Sequence, residues 1–205
     1  LRMSEANHIS AGINVLPLIE EVRESPKETD QVQFTLKVKA GSGVKDPSYK
    51  IKITRFYSGS VAEWIEVLEG LEEVWEQNTM SKPSDMEASI KTILRDDALT
   101  SYEASIQEQV AAGEPHSEKT ITKALNKVSA KVFPHRALEN QKYWMKAKVT
   151  KPRTMTVRKL FSSLNKMNSK LIRFPGGDFE TSFSPQEIRE IVERALPKSL
   201  SLIHI

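Results

Sequence analysis

Strict alternation of apolar and polar side chains begins at Val32. Val32, Phe34, Leu36 and Val38 fall on one face, and Gln33, Thr35, Lys37 and Lys39 on the other. Period two is the signature of a half-buried strand. The segment AGSGVKDPS then supplies the turn formers Gly41, Gly43, Asp46 and Pro47, and a second alternating run puts Tyr49, Ile51 and Ile53 on one face. A β-hairpin over 32–53 with a long loop is the only β structure this pattern predicts.

Beyond Phe56 the period changes to that of helices. Ser60 and Glu63 form a capping-box pair, in which Ser accepts from an early backbone N–H and Glu reaches back. Val61, Trp64, Ile65, Leu68, Leu71, Val74 and Trp75 follow as one apolar stripe. The opposite face carries Glu63, Glu66, Glu69, Glu72, Glu73 and Glu76 without a base. Ser84 and Glu87 suggest a second capping box, opening a helix with Met86, Ile90, Ile93 and Leu94 inward. Asp96 and Asp97 interrupt it. Tyr102, Ile106 and Val110 mark the next helix, which ends at Gly113 and Pro115, and Ser117 opens another with Ile121, Ala124, Leu125, Val128 and Val132 inward.

Three helices are expected in the last third. The first runs from about His135 to Lys148 with Leu138, Gln141, Trp144 and Met145 as contacts, and Lys151-Pro152 breaks it. The second runs from about Thr154 to Lys170 and buries Val157, Leu160, Phe161, Leu164, Met167 and Leu171. After the loop FPGGDFETSF, Ser184-Pro185-Gln186-Glu187 opens the third, which buries Ile188, Ile191, Val192, Ala195 and Leu196 before Pro197. Residues 1–30 read as a poorly ordered leader with an apolar patch at Ile13, Val15, Leu16, Leu18 and Ile19. The boundary between two lobes, 31–133 and 134–205, falls at Phe133-Pro134.

Charge sharpens this division. Between Val132 and Pro175 the chain carries eleven bases and one acid, Glu139, whereas its total charge is only +3. Such polarity points to partners and assembly more than to small-molecule chemistry. The chain has 205 residues, 28% of them charged, and no cysteine, so disulfides and thiolate zinc sites are ruled out. Its apolar runs are too short to span a bilayer, no secretory signal is visible, and a cytoplasmic setting is expected.

Reactive groups are thin. His8, His116, His135 and His204 are scattered, with no metal-binding spacing. Gly41-Ser42-Gly43 and Gly176-Gly177 read as turns, without the lysine and helix of a phosphate loop. The regular glutamates after Ser60 read as a solvated face before they read as an acid/base pair. No catalytic residue, metal ligand or cofactor is therefore expected. Three readings of the basic stretch stay open: a platform for RNA or DNA phosphates helped by Tyr143 and Trp144, a merely solvated face, or a surface that meets the acidic face of a neighbouring copy head to tail.

The run VFPHRALENQKYWMKAKVTKPRTMTVRKLFSSLNKMNSKLIRFP, with Phe56, Gly59, Glu63 and Trp64 upstream and Ser184 to Pro197 downstream, resembles the capsid region of Gag polyproteins from gypsy-type long-terminal-repeat retrotransposons. The resemblance covers about 56–197. The helix near Thr154 looks like the counterpart of the retroviral major homology region through Arg158, Leu160, Phe161 and Leu164, but lacks its Gln-Gly and its glutamate. Asp96-Asp97 stands where relatives often place a glycine. No zinc knuckle follows, and the ending LSLIHI reads as truncated or foreign.

The resemblance implies a mainly α, two-lobed retroviral-capsid-like fold with an N-terminal hairpin. It also implies a structural protein, not an enzyme, that self-assembles into virus-like particles around element RNA. The RNA would be held mainly by a downstream module. Expected core residues are Trp64, Leu68 and Trp75 in one lobe and Phe133, Leu160, Phe161, Leu164 and Ile191 in the other. Candidate assembly residues are Glu66, Glu69 and Glu73 against Lys142, Lys146 and Arg153. The alternatives are a helical nucleic-acid-binding module that never assembles, and a domesticated capsid-derived scaffold.

Overall fold

The computed structural model describes residues 15–19, 27–37, 48–78, 80, 82–178 and 180–197. Expectations for Ile13, Val38, the hairpin loop at 40–47, His8, His204 and the ending at 200–205 lie outside these residues. The chain divides into two units. One spans 24–132; the other spans 133–205 and takes in the N-terminal segment that contains residues 15–19. Among the described residues the structure is mainly helical, with seven α-helices and one two-stranded antiparallel sheet.

In the 24–132 unit, β1 (Gln31–Lys37) pairs with β2 (Ser48–Thr54) in a register that sets Val32 opposite Ile53, Phe34 opposite Ile51 and Leu36 opposite Tyr49. Alternation decides which face is buried: Leu36 and Ile53 are inside while Gln33, Thr35, Lys50 and Lys52 are exposed. The sheet rests on α1 (Val61–Gln77), where Gly70 permits the approach, since a Cβ there would stand 2.8 Å from Ile53 Cδ1. The Ser60–Glu63 capping box is present. Helix α1 buries Val61, Trp64, Ile65, Val67, Leu71 and Val74, with Leu68 and Trp75 half-buried. Val67 is an addition to the expected stripe, so the buried face is wider and turned away from the glutamates.

Helix α2 (Pro83–Ile93) does not start with a capping box at Ser84. It begins earlier, with Pro83 at its first position, because proline's fixed φ already suits a helix and its missing N–H is not needed there. Ser84 points its hydroxyl at Asp85 instead. Past α2, Phe56 exchanges backbone hydrogen bonds with Ile93 and Arg95, at 3.0 and 2.9 Å, which pins the exit of β2 to the end of this helix. Asp96 follows with φ 46, the left-handed region that glycine adopts most easily and aspartate tolerates. Helix α3 (Asp96–Ala111) buries Ala98, Tyr102, Ser105 and Gln109. Val110, expected inside, is 57% exposed; the buried line runs through Gln109, whose amide donates to the Thr120 carbonyl at 3.1 Å and ties α3 to α4 (Glu118–Val132).

The other unit contains α5 (Ala137–Ala147), α6 (Val157–Lys170) and α7 (Pro185–Ala195). Helix α5 starts later than the pattern suggests because Arg136 sits at φ 56, outside the helical region. Helix α6 starts at Val157 because the Thr156 hydroxyl accepts from the Lys159 N–H and caps it. Its buried line is Leu160, Leu164 and Met167, joined by Leu171. Val157 and Phe161, both expected in the core, are instead 42% and 37% exposed. At 100° per residue they lie on the shoulder of the buried stripe, where a helix residue is covered only if a neighbour reaches over it.

Residues 15–19, expected in a poorly ordered leader with an apolar patch able to dock, include a core position. Leu16 is buried, and its N–H donates to Gln141 Oε1 at 2.6 Å. Gln141 is fully buried, with its amide nitrogen 4.0 Å from Met167 Sδ. Nearby in the unit, Phe133 and Phe174 pack as a tilted ring pair at 4.9 Å.

Candidate functional site

Two surfaces carry the residues singled out from sequence, one on each unit. On α1, Glu66, Glu69, Glu73 and Glu76 recur at spacings of three and four, so they share one line along the helix. Glu66 and Glu73 are exposed and Glu69 is half-buried. The Tyr49 hydroxyl donates to Glu73 Oε1 at 2.9 Å, which ties that member of the line to β2. That bond, with the adjacent carboxylate charge, holds the Tyr49 phenol above its ordinary range.

A second charged group in the same unit has a structural role. Glu87 receives Lys91 Nζ at 2.7 Å and His116 Nε2 at 2.7 Å. Burial alone would raise its pKa, but these partners hold it below the ordinary 4.5. A depressed carboxylate contributes stability that is present above its unfolded pKa and lost as pH falls through the folded one. Glu87→Gln should therefore cost the unit on the order of 1 kcal/mol at neutral pH, with the difference from wild type closing below about pH 4. Denaturant titrations across that range check it.

On the second unit the basic residues separate into two groups. Lys142, half-buried, and Lys146, exposed, both have partners within their own unit. Lys142 Nζ donates to the Thr181 carbonyl at 2.8 Å, and Lys146 Nζ reaches Glu187 Oε1 at 3.4 Å. Both ammonium groups stand over the Phe183 ring, at 5.0 and 4.9 Å from its centre. Phe183 is itself clamped by Asn168, whose Nδ2 donates to its carbonyl at 2.8 Å and whose Oδ1 accepts its N–H at 2.7 Å. The Ser184 N–H on Glu187, reinforced by Lys146, keeps that carboxyl below its ordinary range. Lys151 is likewise occupied, donating to the Pro152 and Met155 carbonyls at 3.1 and 2.7 Å.

The second group is exposed: Lys148, which stands 5.9 Å from the Tyr143 ring centre, then Arg153, Arg158, Lys159 and Lys166. Of the expected assembly residues, the structure thus joins Lys142 and Lys146 through Phe183 and leaves Arg153 apart from them. Of the homology-region-like set, Leu160 and Leu164 are fully buried while Arg158 and Phe161 are on the surface.

Sequence reasoning missed Phe183 and Asn168 as organisers. The only signal for them is a lone aromatic before a Ser-Pro cap and a polar residue on the shoulder of the α6 stripe. The loop between α6 and α7 is also tighter than its composition suggests, since a Cβ on Gly177 would meet the Leu171 carbonyl at 2.5 Å and the Phe174 carbonyl at 2.9 Å.

Among the described residues no group of three or more His, Asp or Glu could hold a metal, and no helix is long and apolar enough to cross a membrane. Comparison with known protein families, with curated proteins and with solved structures finds no match.

Proposed function

We propose that this chain is a structural capsid protein of the retrotransposon Gag type, built as two capsid-like helical lobes that self-associate into particles enclosing RNA. The observation that carries this reading is the division of charge between two separate units. Residues 24–132 hold 18 acids and 14 bases, net −4, while the remainder holds 9 acids and 16 bases, net +7. Oppositely charged, complementary surfaces on one molecule favour heterologous, head-to-tail contacts between copies, which propagate into rings or shells. The motif resemblance supplies the family. The work assigned to the chain is mechanical, carried by surfaces and not by a reactive centre.

The internal partners of Lys142 and Lys146 leave Lys148 and Arg153 as the basic half of such a contact, opposite the Glu66/Glu73 line of a neighbour. Light scattering with negative-stain microscopy over a protein titration, at low and high salt and with and without RNA, tests the reading. Regular rings or shells that weaken with salt are expected. Arg153→Glu should raise the concentration needed for assembly several-fold, and Glu66→Lys in the same chain should recover part of the loss. A chain that stays monomeric, changing only when nucleic acid is added, would favour the second reading, a binding module that uses the same basic segment.

A further inference from the structure

Among the described helices, α6 has an outer face unlike that of the others. Its neighbour α7 mixes signs, with Glu187, Arg189, Glu190, Glu193 and Arg194, as a solvated face does. Helix α6 carries Arg158, Lys159, Lys166 and Lys170 with no acid. It sits inside a longer run, residues 140–177, that holds ten bases and no acid at all. Three of those ten, Lys142, Lys146 and Lys151, are spent on carbonyls, on Glu187 and on the Phe183 ring of their own unit. Arg153, Arg158 and Lys159 remain exposed around the entry to the helix.

Among these cations the structure leaves an aromatic residue partly exposed. Phe161 is 37% exposed, and Val157, one turn before it on the same face, is 42% exposed. Arg158 is three residues from Phe161 and hence its neighbour on the helix surface. Cations without acids beside an exposed ring are the elements of a single-stranded nucleic-acid surface: the charges follow the phosphates and the ring stacks on a base. A duplex fits less well, because its bases are already stacked on one another. A second copy of α6 fits worst, since it would set Arg158 and Lys159 against themselves.

We propose that the outer face of α6 binds single-stranded RNA or DNA, with Phe161 stacking on an unpaired base and Arg158 and Lys159 holding the flanking phosphates. This site is on the chain itself, independent of any downstream nucleic-acid-binding module, and it does not depend on particle formation.

Fluorescence anisotropy of the full chain with a labelled oligouridylate of about 12 nucleotides, and with a duplex of equal length, tests it between about 50 and 200 mM salt. Wild type should prefer the single strand. Phe161→Ala should weaken that binding about tenfold and leave the salt slope unchanged, while Phe161→Trp retains it. The double change Arg158→Glu, Lys159→Glu should weaken binding further and lower the salt slope by about one to two. Circular dichroism melts confirm that these surface variants fold. Equal affinity for the duplex, or a Phe161→Ala variant that binds as wild type does, overturns the proposal. So does a Phe161→Ala variant that loses self-association by sedimentation while its oligouridylate affinity is unchanged, which would assign the face to a second copy.

Discussion

Trp64→Ala should destabilise the 24–132 unit by about 4 kcal/mol, within the range seen when a fully buried indole is removed from a core. Trp64 has no exposed surface. Its ring packs against Phe56 at 5.0 Å, and Phe56 is the residue whose backbone joins the exit of β2 to the end of α2. Its Nε1 donates to Ser129 Oγ at 2.8 Å, and that hydroxyl donates onward to the Leu125 carbonyl at 3.0 Å. One side chain therefore touches the hairpin exit, α1 and α4, and its loss opens a cavity where three elements meet. Trp64→Phe fills most of the volume but leaves Ser129 without its donor, so its cost should be nearer 1–2 kcal/mol. Hydrogen exchange read separately over β1–α4 and over α5–α7 distinguishes the expected result from general unfolding. Protection should fall in the first set by the full amount.

The second large effect is expected at Phe183. It is 4% exposed, and the two lysines, Asn168 and the Ser184 cap are all arranged around it. Phe183→Ala removes a buried ring at a cost of about 3–4 kcal/mol. It also takes away the surface over which Lys142 and Lys146 lie, leaving two like charges close together with only the Thr181 carbonyl and Glu187 to hold them. Phe183→Leu keeps apolar volume and loses only the ring's attraction for the cations, so about 1–2 kcal/mol is expected. Denaturant unfolding of both variants, followed by exchange in α5 and α7, measures the difference. A Leu variant as stable as wild type would mean that the ring's π face contributes nothing. The result also bears on assembly experiments, because charge reversal at Lys142 or Lys146 would damage this unit before it reported on any contact between copies.

Local periodicity explains why much of the fold is legible from the chain and where legibility stops. Leu36, Ile53 and Trp64 are readable because each sits at the centre of an alternating or helical stripe, and Leu160 and Leu164 are readable for the same reason. Val110, Val157 and Phe161 lie on stripe edges, where the same period assigns burial but the decision belongs to whichever element packs alongside. Ser84 has the right residue at the right spacing for a cap, yet proline one position earlier starts the helix first. The candidate site is harder still. A count of bases cannot tell Lys142, tied to a carbonyl 39 residues away, from Arg153, which stays exposed. Gln141 is legible as a contact position of its helix, but nothing local in the chain names Leu16 as its partner.

That partnership is a matter of order in time. Leu16 and Gln141 are 125 residues apart in the chain, and the whole 24–132 unit is synthesised between them. On a ribosome, the intervening unit can gather its hairpin and four helices while the segment around Leu16 waits for a surface that does not yet exist. The later unit therefore closes last, and it closes over residues made before the intervening unit began.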